Sequence, residues 1–583
     1  MRCARSVILL PLLLLTGCPT KAKLDFDGST QSDGSADETP TTPTLQITSP
    51  IDGTYIKGTL TVTVTATGGK APATVSLLVD AATNPIATAT APSPYGFSWD
   101  TSAVAEGAHT LVAKAIVAGQ TITSAPITVN VDRTAPSVVA TTPTTGATDI
   151  VLRAPITVTF SEAIAKSSLT SSSVTLKIAG TAAATTVNLS SDGTTATIAI
   201  NDLTSFALPA VFAITLAATI TDLAGNALVP LTAAWSWTVP DFIGYGSVSG
   251  FGFSLSDVNL AVTSSFRPVI SYADLYVNSS GGVEYHILHV QSSDGQSWTD
   301  LGPAPVGDGG LSPSLALDTN DQPVLAWSVS PSSGSNSQIY VSTRTAAGWN
   351  TALTPTDSAG NAGNATSPIV RLDPTGLPVV GWLQQVTGLG GYEDIFLTRW
   401  TGSQWTSSPG ELGLSGITSF DLVVDTQGNP SVGWHSSNMT GVDTFKVTTK
   451  LVGPSMAATI NPTLGLDGMS EPLIVATSGS TVFVDTLVGG VWQQLIPSSI
   501  PASGTAANFK LRVGPDHNPV VGWIDSGQLA FARWTGDVWD TRAGLFSQGG
   551  SVGGFDLVVD SQGTAWFAGT DGASKVFALM SNY

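Results

Sequence analysis

One pattern returns seven times between residue 240 and the end of the chain, and it restricts the fold more than anything else in the sequence. Each copy has an apolar strand ending in an acidic or turn residue, a short turn, a proline and a second apolar strand usually closed by tryptophan. Leu315-Ala316-Leu317-Asp318 leads to Pro323-Val324-Leu325-Ala326-Trp327, and Val370-Arg371-Leu372-Asp373 to Pro378-Val379-Val380-Gly381-Trp382. Leu422–Asp425 leads likewise to Pro430–Trp434, Leu464–Asp467 to Pro472–Val475, and Leu511–Val513 to Pro519–Trp523. The outermost copies are Leu260–Val262 to Pro268–Tyr272 and Leu557–Asp560 to Ala565–Phe567. The first six prolines are 55, 55, 52, 42 and 47 residues apart. A period of about 40 to 50 residues is one four-stranded propeller blade.

The second half of each unit agrees. Ile339–Arg344 runs to Trp349, Ile395–Trp400 to Trp405, Val482–Val484 to Trp492, and Leu529–Trp534 to Trp539, as third and fourth strands joined by a Gly-containing hairpin. The last unit stops after Val576–Leu579, before a fourth strand. A segment near Ile243 to Val248 is therefore predicted to supply it, because otherwise the first and last sheets would both expose an edge. Seven anchors favour seven blades over a six-bladed ring with one irregular repeat, or over two sheets of another kind. The fold class is all-β: two sandwiches followed by this propeller at 240–583.

Residues 45–132 alternate as half-buried strands do, in Leu60–Thr65, Thr74–Val79 and Ile127–Val131. Phe97-Ser98-Trp99-Asp100-Thr101 and Glu106-Gly107-Ala108-His109 resemble bacterial Ig-like domains, which implies Trp99 in the core, Gly107 opening a strand and His109 beside that turn. Asp132-Arg133-Thr134-Ala135-Pro136 marks a joint, since proline stiffens it and the pattern restarts. Residues 133–239 form a second sandwich. Pro143–Asp149, Val158–Glu162 and Thr221–Leu228 resemble the Ig-like domains of surface-layer and adhesin-like proteins. In that last motif Ala224-Gly225-Asn226 reads as a turn whose Gly and Asn tolerate positive φ.

At the amino terminus, Arg2 and Arg5 precede the apolar run Val7–Leu15 and then Thr16-Gly17-Cys18. Residues 1–18 read as a signal peptide, too short to span a bilayer. Leu15-Thr16-Gly17-Cys18 resembles the bacterial lipobox, which implies a lipid on Cys18 and a membrane as partner. Pro19-Thr20 lacks the aspartate associated with inner-membrane retention, which favours an outer-membrane or cell-surface destination. Residues 19–44 are a polar tether. Only Cys3 and Cys18 exist, so no intramolecular disulfide survives once the leader is removed, and thiolate zinc is excluded.

The chain has 22 Lys+Arg against 42 Asp+Glu, a formal charge of −20. Nucleic acid is excluded as a partner, because phosphate contacts need clustered cations. No catalytic residue, cofactor or metal site is assigned. Ser292-Ser293-Asp294-Gly295-Gln296-Ser297-Trp298 resembles an Asp-box and Phe266-Arg267-Pro268 an arginine motif of sialidases, yet the first reads as a hairpin turn and Pro268 as a repeat anchor. The histidines are His109, His286, His289, His435 and His517, and His286 and His289 would point to opposite faces of one strand. Asp274, Glu393, Asp394, Asp485 and Asp525 lie near strand ends and could meet at one mouth. Calcium at the Ig-like joints, through Asp132 or Asp222, suits oxygen ligands but two acids are no site. Trp327, Trp382, Trp434 and Trp523 could stack on sugars, but their fixed position favours packing between blades. These residues point to a surface-anchored binding, adhesive or structural module. Its Ig-like domains are spacers and its propeller is the head for a protein or carbohydrate. A sialidase-like, glycan-degrading hydrolase with its site at the propeller mouth is the alternative.

Overall fold

In the computed structural model the described residues are 42–582, apart from 204–205, 250–253, 278–283, 295–296, 303–309, 330–335, 351–352, 356–362, 387–391, 407–415, 437–438, 447–448, 457–461, 479–480, 489–490, 496–498, 501, 503–505, 543–550 and 572–574. The leader, Cys18 and most of the tether lie outside them. Among the described residues all regular structure is β-strand except a 3-10 turn at Lys166–Ser168, and no helix is long and apolar enough to cross a membrane. The chain divides into two compact units, Met1–Thr134 with Leu223–Asn226, and Ala135–Asp222 with Ala227–Tyr583.

In the first unit, strands Thr44–Ser49, Thr59–Thr67 and Tyr95–Asp100 form one sheet, and a second is ordered Thr54–Ile56, Ile127–Val131, Gly107–Val117, Thr74–Val79, Ala87–Thr90. Alternation puts Val62, Val64, Val75, Leu77, Leu111 and Val129 between them. Trp99 belongs to this core. His109 does more than follow the turn at Gly107: it is buried, its Nδ1 is 2.6 Å from Asp80 Oδ2 and its Nε2 is 2.9 Å from the Ala105 carbonyl.

The second unit begins with a sandwich of two four-stranded sheets packed through Val158, Leu176, Phe212, Trp235 and Trp237. Gly225 takes positive φ, at 86°, whereas Asn226 is not among the positive-φ residues. Asn226 is instead a buried polar side chain, so its amide rather than its tolerance of αL accounts for it.

After the sandwich the described residues form seven sheets, whose first strands are Ser254–Val262, Gly310–Leu317, Ala365–Leu372, Ile417–Val424, Leu464–Leu466, Ala507–Val513 and Phe555–Val559. Strands follow in chain order within a sheet; the third sheet has three, with Trp400 and Trp405 bridged beyond them. The seventh is completed as the sequence predicts. Phe242–Ser249 pairs antiparallel with Lys575–Ser581, from Phe242 opposite Ser581 to Ser249 opposite Lys575. Each first strand touches the next one, and Phe555–Val559 touches Ser254–Val262.

The Gly-Trp signature has a simple packing cause. Trp327 lies among Val269, Ala273 and Val290 of the first sheet. Trp382 meets Val324, Ala326, Ile339 and Val341 of the second, and Trp434 and Trp523 likewise meet their preceding sheets. The residue before tryptophan points the other way. A Cβ at Gly381, Gly433 or Gly522 would come within 2.9–3.0 Å of Phe420, Leu464 or Phe555 on the following sheet. In these four sheets tryptophan therefore fills the gap behind, and in three of them glycine makes room for the residue in front.

The turn between the first two strands is equally repetitive. Oδ1 of Asp318, Asp373, Asp425, Asp467 and Asp560 each accepts the backbone N–H groups two and four residues on, at 2.7–3.0 Å. Four residues beyond the last residue of the first strand the backbone is left-handed in all seven turns, at Phe266, Asp321, Gly376, Gly428, Ser470, His517 and Gly563. His517 is thus a turn residue.

Candidate functional site

The seven first strands place side chains at matched heights, and one level carries a series of polar contacts between neighbouring sheets. Immediately before the buried residues Leu260, Leu315, Val370, Leu422, Leu464, Leu511 and Leu557 stand Asn259, Ser314, Ile369, Asp421, Thr463, Lys510 and Asp556. Ser314 Oγ accepts the Val370 N–H at 3.0 Å, Asp421 Oδ2 that of Leu464 at 2.9 Å, Thr463 Oγ1 that of Leu511 at 2.6 Å and Asp556 Oδ2 that of Leu260 at 3.0 Å. Asn259 Nδ2 donates to the Pro313 carbonyl at 2.5 Å. Five neighbouring pairs of sheets are therefore stitched side chain to backbone.

Arg371 and Arg512, two positions further along their strands, join this level. Arg371 is 3.3 Å from Asp421, and Arg512 is 3.3 Å from Asp556 and 3.9 Å from Asp421. Arg512 on the sixth sheet thus reaches past the fifth to the fourth. Asp421 Oδ1 also accepts the Leu422 N–H at 2.8 Å, and Asp556 Oδ1 that of Leu557 at 2.9 Å. The guanidiniums donate in turn to the carbonyls of Val370 and Leu511. Burial pushes the Asp421 carboxyl up, but Arg512, Arg371 and the Leu464 N–H outweigh it and hold it below its ordinary range. Each carboxylate accepts two backbone amides as well as a guanidinium. Asp421 is therefore favoured as the carboxylate, and both acids are committed to backbone amides and guanidiniums.

The carboxylates singled out in the sequence do not join this network. Asp274 is buried on the first sheet, 3.9 Å from His289. Glu393 and Asp394 start the third strand of the third sheet, where Asp394 Oδ1 accepts the Ile395 N–H at 2.7 Å. Asp485 is on the fifth sheet, its carboxyl raised by burial, and Asp525 ends the second strand of the sixth. Sequence reasoning missed Arg371, Asp421, Arg512 and Asp556. Arg371 and Arg512 stand where the other copies have Ala261, Ala316, Val423, Gly465 and Val558, whereas Asp421 and Asp556 stand at a level that is polar in most copies and carried no such signal.

The other residues singled out in the sequence lie on strands, turns and joints. His289 stacks on Tyr272 with ring centroids 5.0 Å apart, and burial lowers its pKa. His286 faces Leu275 in the register, but its side chain lies outside the described residues. His435 Nδ1 is 2.9 Å from Thr440 Oγ1. Asp294 Oδ1 accepts the Ser297 N–H at 2.8 Å, so the Asp-box-like stretch is the hairpin before Trp298. Arg267 is exposed in the first turn. Asp132 accepts the Thr134 N–H at 3.1 Å, and Asp222 is buried. Trp327, Trp382, Trp434 and Trp523 are 0, 2, 8 and 1% exposed, too deep to stack on a ligand.

Comparison with known proteins agrees with the sandwiches. Residues 43–113 match the family described as bacterial Ig domain, and 132–239 that described as bacterial Ig-like domain. Such domains are typical of extracellular proteins. No curated protein matches. Among solved structures the chain is similar to a Dos1 propeller, at 9% identity over 58% of this chain and 96% of that one, TM-score 0.38. It is also similar to the Aleuria aurantia lectin in complex with Fucalpha1-6GlcNAc, at 11% identity over 52% and 100%, TM-score 0.32. A Hadza microbial sialidase matches at 13% identity over 66% and 76%, TM-score 0.34.

Proposed function

We propose that this chain is a lipid-anchored extracellular binding protein. Its two Ig-like sandwiches are a stalk, and its seven sheets close as a seven-bladed propeller that forms a non-catalytic head for a protein or glycan. The lipid sits on Cys18, after a lipobox-like tetrad. The ring reading is supported by the cycle of contacts among first strands, which returns from Phe555–Val559 to Ser254–Val262. One observation carries the non-catalytic reading: the charged groups gathered at the first strands, Arg371, Asp421, Arg512 and Asp556, neutralise one another and bind backbone amides. Most glycoside hydrolases use a carboxylic acid and a carboxylate held apart and free to exchange protons, and sialidases replace the carboxylate nucleophile by a tyrosine. Here both acids are occupied.

Two measurements test this reading. A chain beginning at Pro19 is applied to a glycan array and to extracts of surface polymers: retention of a ligand with unchanged mass supports a binding head, whereas release of reducing sugar would make it a hydrolase. In cells, lipid labelling should disappear in Cys18→Ser, and persistence of the label would remove the anchor from the proposal.

A further inference from the structure

The second sandwich ends at Val239, and only Pro240 and Asp241 separate it from the strand Phe242–Ser249 that completes the seventh sheet. That strand is the outermost of its sheet, paired only to Lys575–Ser581. Its first residue, Phe242, faces Ser581 at the far end of the partner. Tension arriving along the chain from the sandwich would pull on Phe242 and open the pairing one rung at a time. Unzipping is the weakest way to load an antiparallel pair, because the bonds break in succession rather than together.

Asn582 sits at the point where such unzipping would start, and it is 4% exposed. Its backbone N–H donates to the Asp241 carbonyl at 3.0 Å. Its Nδ2 donates to the Pro240 carbonyl at 2.7 Å and to the Ile150 carbonyl at 3.3 Å, and its Oδ1 accepts the Leu152 N–H at 3.0 Å. Ile150 and Leu152 belong to the sandwich, and Leu152 is part of its core. The preceding residue is fixed as well, since Ser581 Oγ accepts the Ala565 N–H at 3.2 Å on the next strand in. One amide side chain thus joins the sandwich, the linker and the end of Lys575–Ser581. Only an amide offers two donors and an acceptor in this shape.

We propose that Asn582 is a mechanical clamp: it carries tension from the second Ig-like sandwich directly into the end of Lys575–Ser581, in parallel with the closing strand, so that Phe242–Ser249 is not peeled away. The idea rests on the stalk-and-head reading only in supposing that tension enters through the sandwich. A force measurement on the isolated chain needs no ligand or lipid, so its failure would leave that reading standing.

The test is single-molecule stretching of a chain beginning at Pro19, held at its first residue and by a thiol handle at Ser403→Cys. Ser403 is exposed in the hairpin after the third strand of the third sheet. Peeling frees the dozen residues from Phe242 to Ser254, an extension of roughly 40 Å. In Asn582→Ala this event is expected early and at clearly lower force than with Asn582 in place. Asn582→Asp keeps an acceptor for Leu152 but sets a carboxylate oxygen against the Pro240 and Ile150 carbonyls, so its rupture force should also fall clearly below that with Asn582 in place. Equal forces in all three, or a first rupture of a different length, would overturn the proposal. Should Asn582→Ala fold poorly, hydrogen exchange at the Leu152 amide provides a second reading at zero force. It should quicken on the order of tenfold in Asn582→Ala, and an unchanged rate in Asn582→Ala would remove the clamp.

Discussion

The sandwiches and the repeated sheets spend similar residues in different ways. In each sandwich the apolar faces of two sheets close on one continuous core, twenty buried residues among those described in the second of them. The seven sheets instead divide their interior among separate small clusters, four of which contain a tryptophan from one sheet set against the preceding one. A continuous core can redistribute a local loss over many neighbours, whereas a narrow gap between rigid sheets cannot. The two regions also use charge differently. The first sandwich has a His109–Asp80 pair at its margin, while the sheets thread two arginines and two aspartates through their first strands.

The sharpest way to break this contrast is Trp382→Ala. It should cost about 3 to 5 kcal/mol of the stability of the second unit and leave the transition of the first unit unmoved, as calorimetry would resolve. Two transitions shifting together would mean the cores are not independent. Next comes Asp421→Asn, which leaves Arg371 and Arg512 without their shared carboxylate and should cost about 3 kcal/mol. The wild-type contribution should also depend on pH. The folded carboxyl titrates below its ordinary 3.8, so its stabilisation is complete above that pH and is lost as pH falls through the folded value. In the Asp421→Asn variant that part of the acid slope should be missing from a chemical denaturation series. Gly522→Val should cost about 1 to 3 kcal/mol by forcing Phe555 away. Gly96→Ala in the first sandwich, where nothing lies within 4 Å of the new Cβ, should be close to neutral by comparison.

The smallest expected effect belongs to the margin of the first sandwich. The hydrogen bond to Asp80 holds His109 above its ordinary 6.5 against the opposing pull of burial. Burial raises the Asp80 carboxyl, but the bonds from His109 and the Thr110 N–H hold it below 3.8. The histidine's contribution is present below pH 6.5 and fades as pH rises through its folded value; the aspartate's is present above 3.8 and fades below it. The first unit should melt highest between those limits, and His109→Gln should flatten the neutral side of the profile. A wild-type profile already flat there would show that the pair contributes nothing.

Much of this was legible because it repeats. The terminal aspartates, the prolines and the tryptophans mark strand ends and gaps at a fixed spacing, and the missing last strand could be inferred from a count. The left-handed turn residues were harder to see where glycine is absent, as at Phe266, Asp321, Ser470 and His517. There the shared feature is a backbone bond, since the N–H of each of these residues donates to the carbonyl three residues back. The charge network was hidden for another reason. Arg371 and Arg512 sit inside strands whose apolar pattern identifies the repeat, and one sequence does not say that residues so far apart meet.

The pairing of Phe242–Ser249 with Lys575–Ser581 has a consequence for biogenesis. A ribosome makes the first of these segments more than three hundred residues before the second, so a growing chain holds an unsatisfied strand throughout synthesis of the intervening sheets. Loop closure over such a separation is slow, and the waiting edge is open to pairing with another nascent chain. Yield in cells should therefore be limited by how long that strand stays soluble, rather than by the equilibrium stability of the finished molecule.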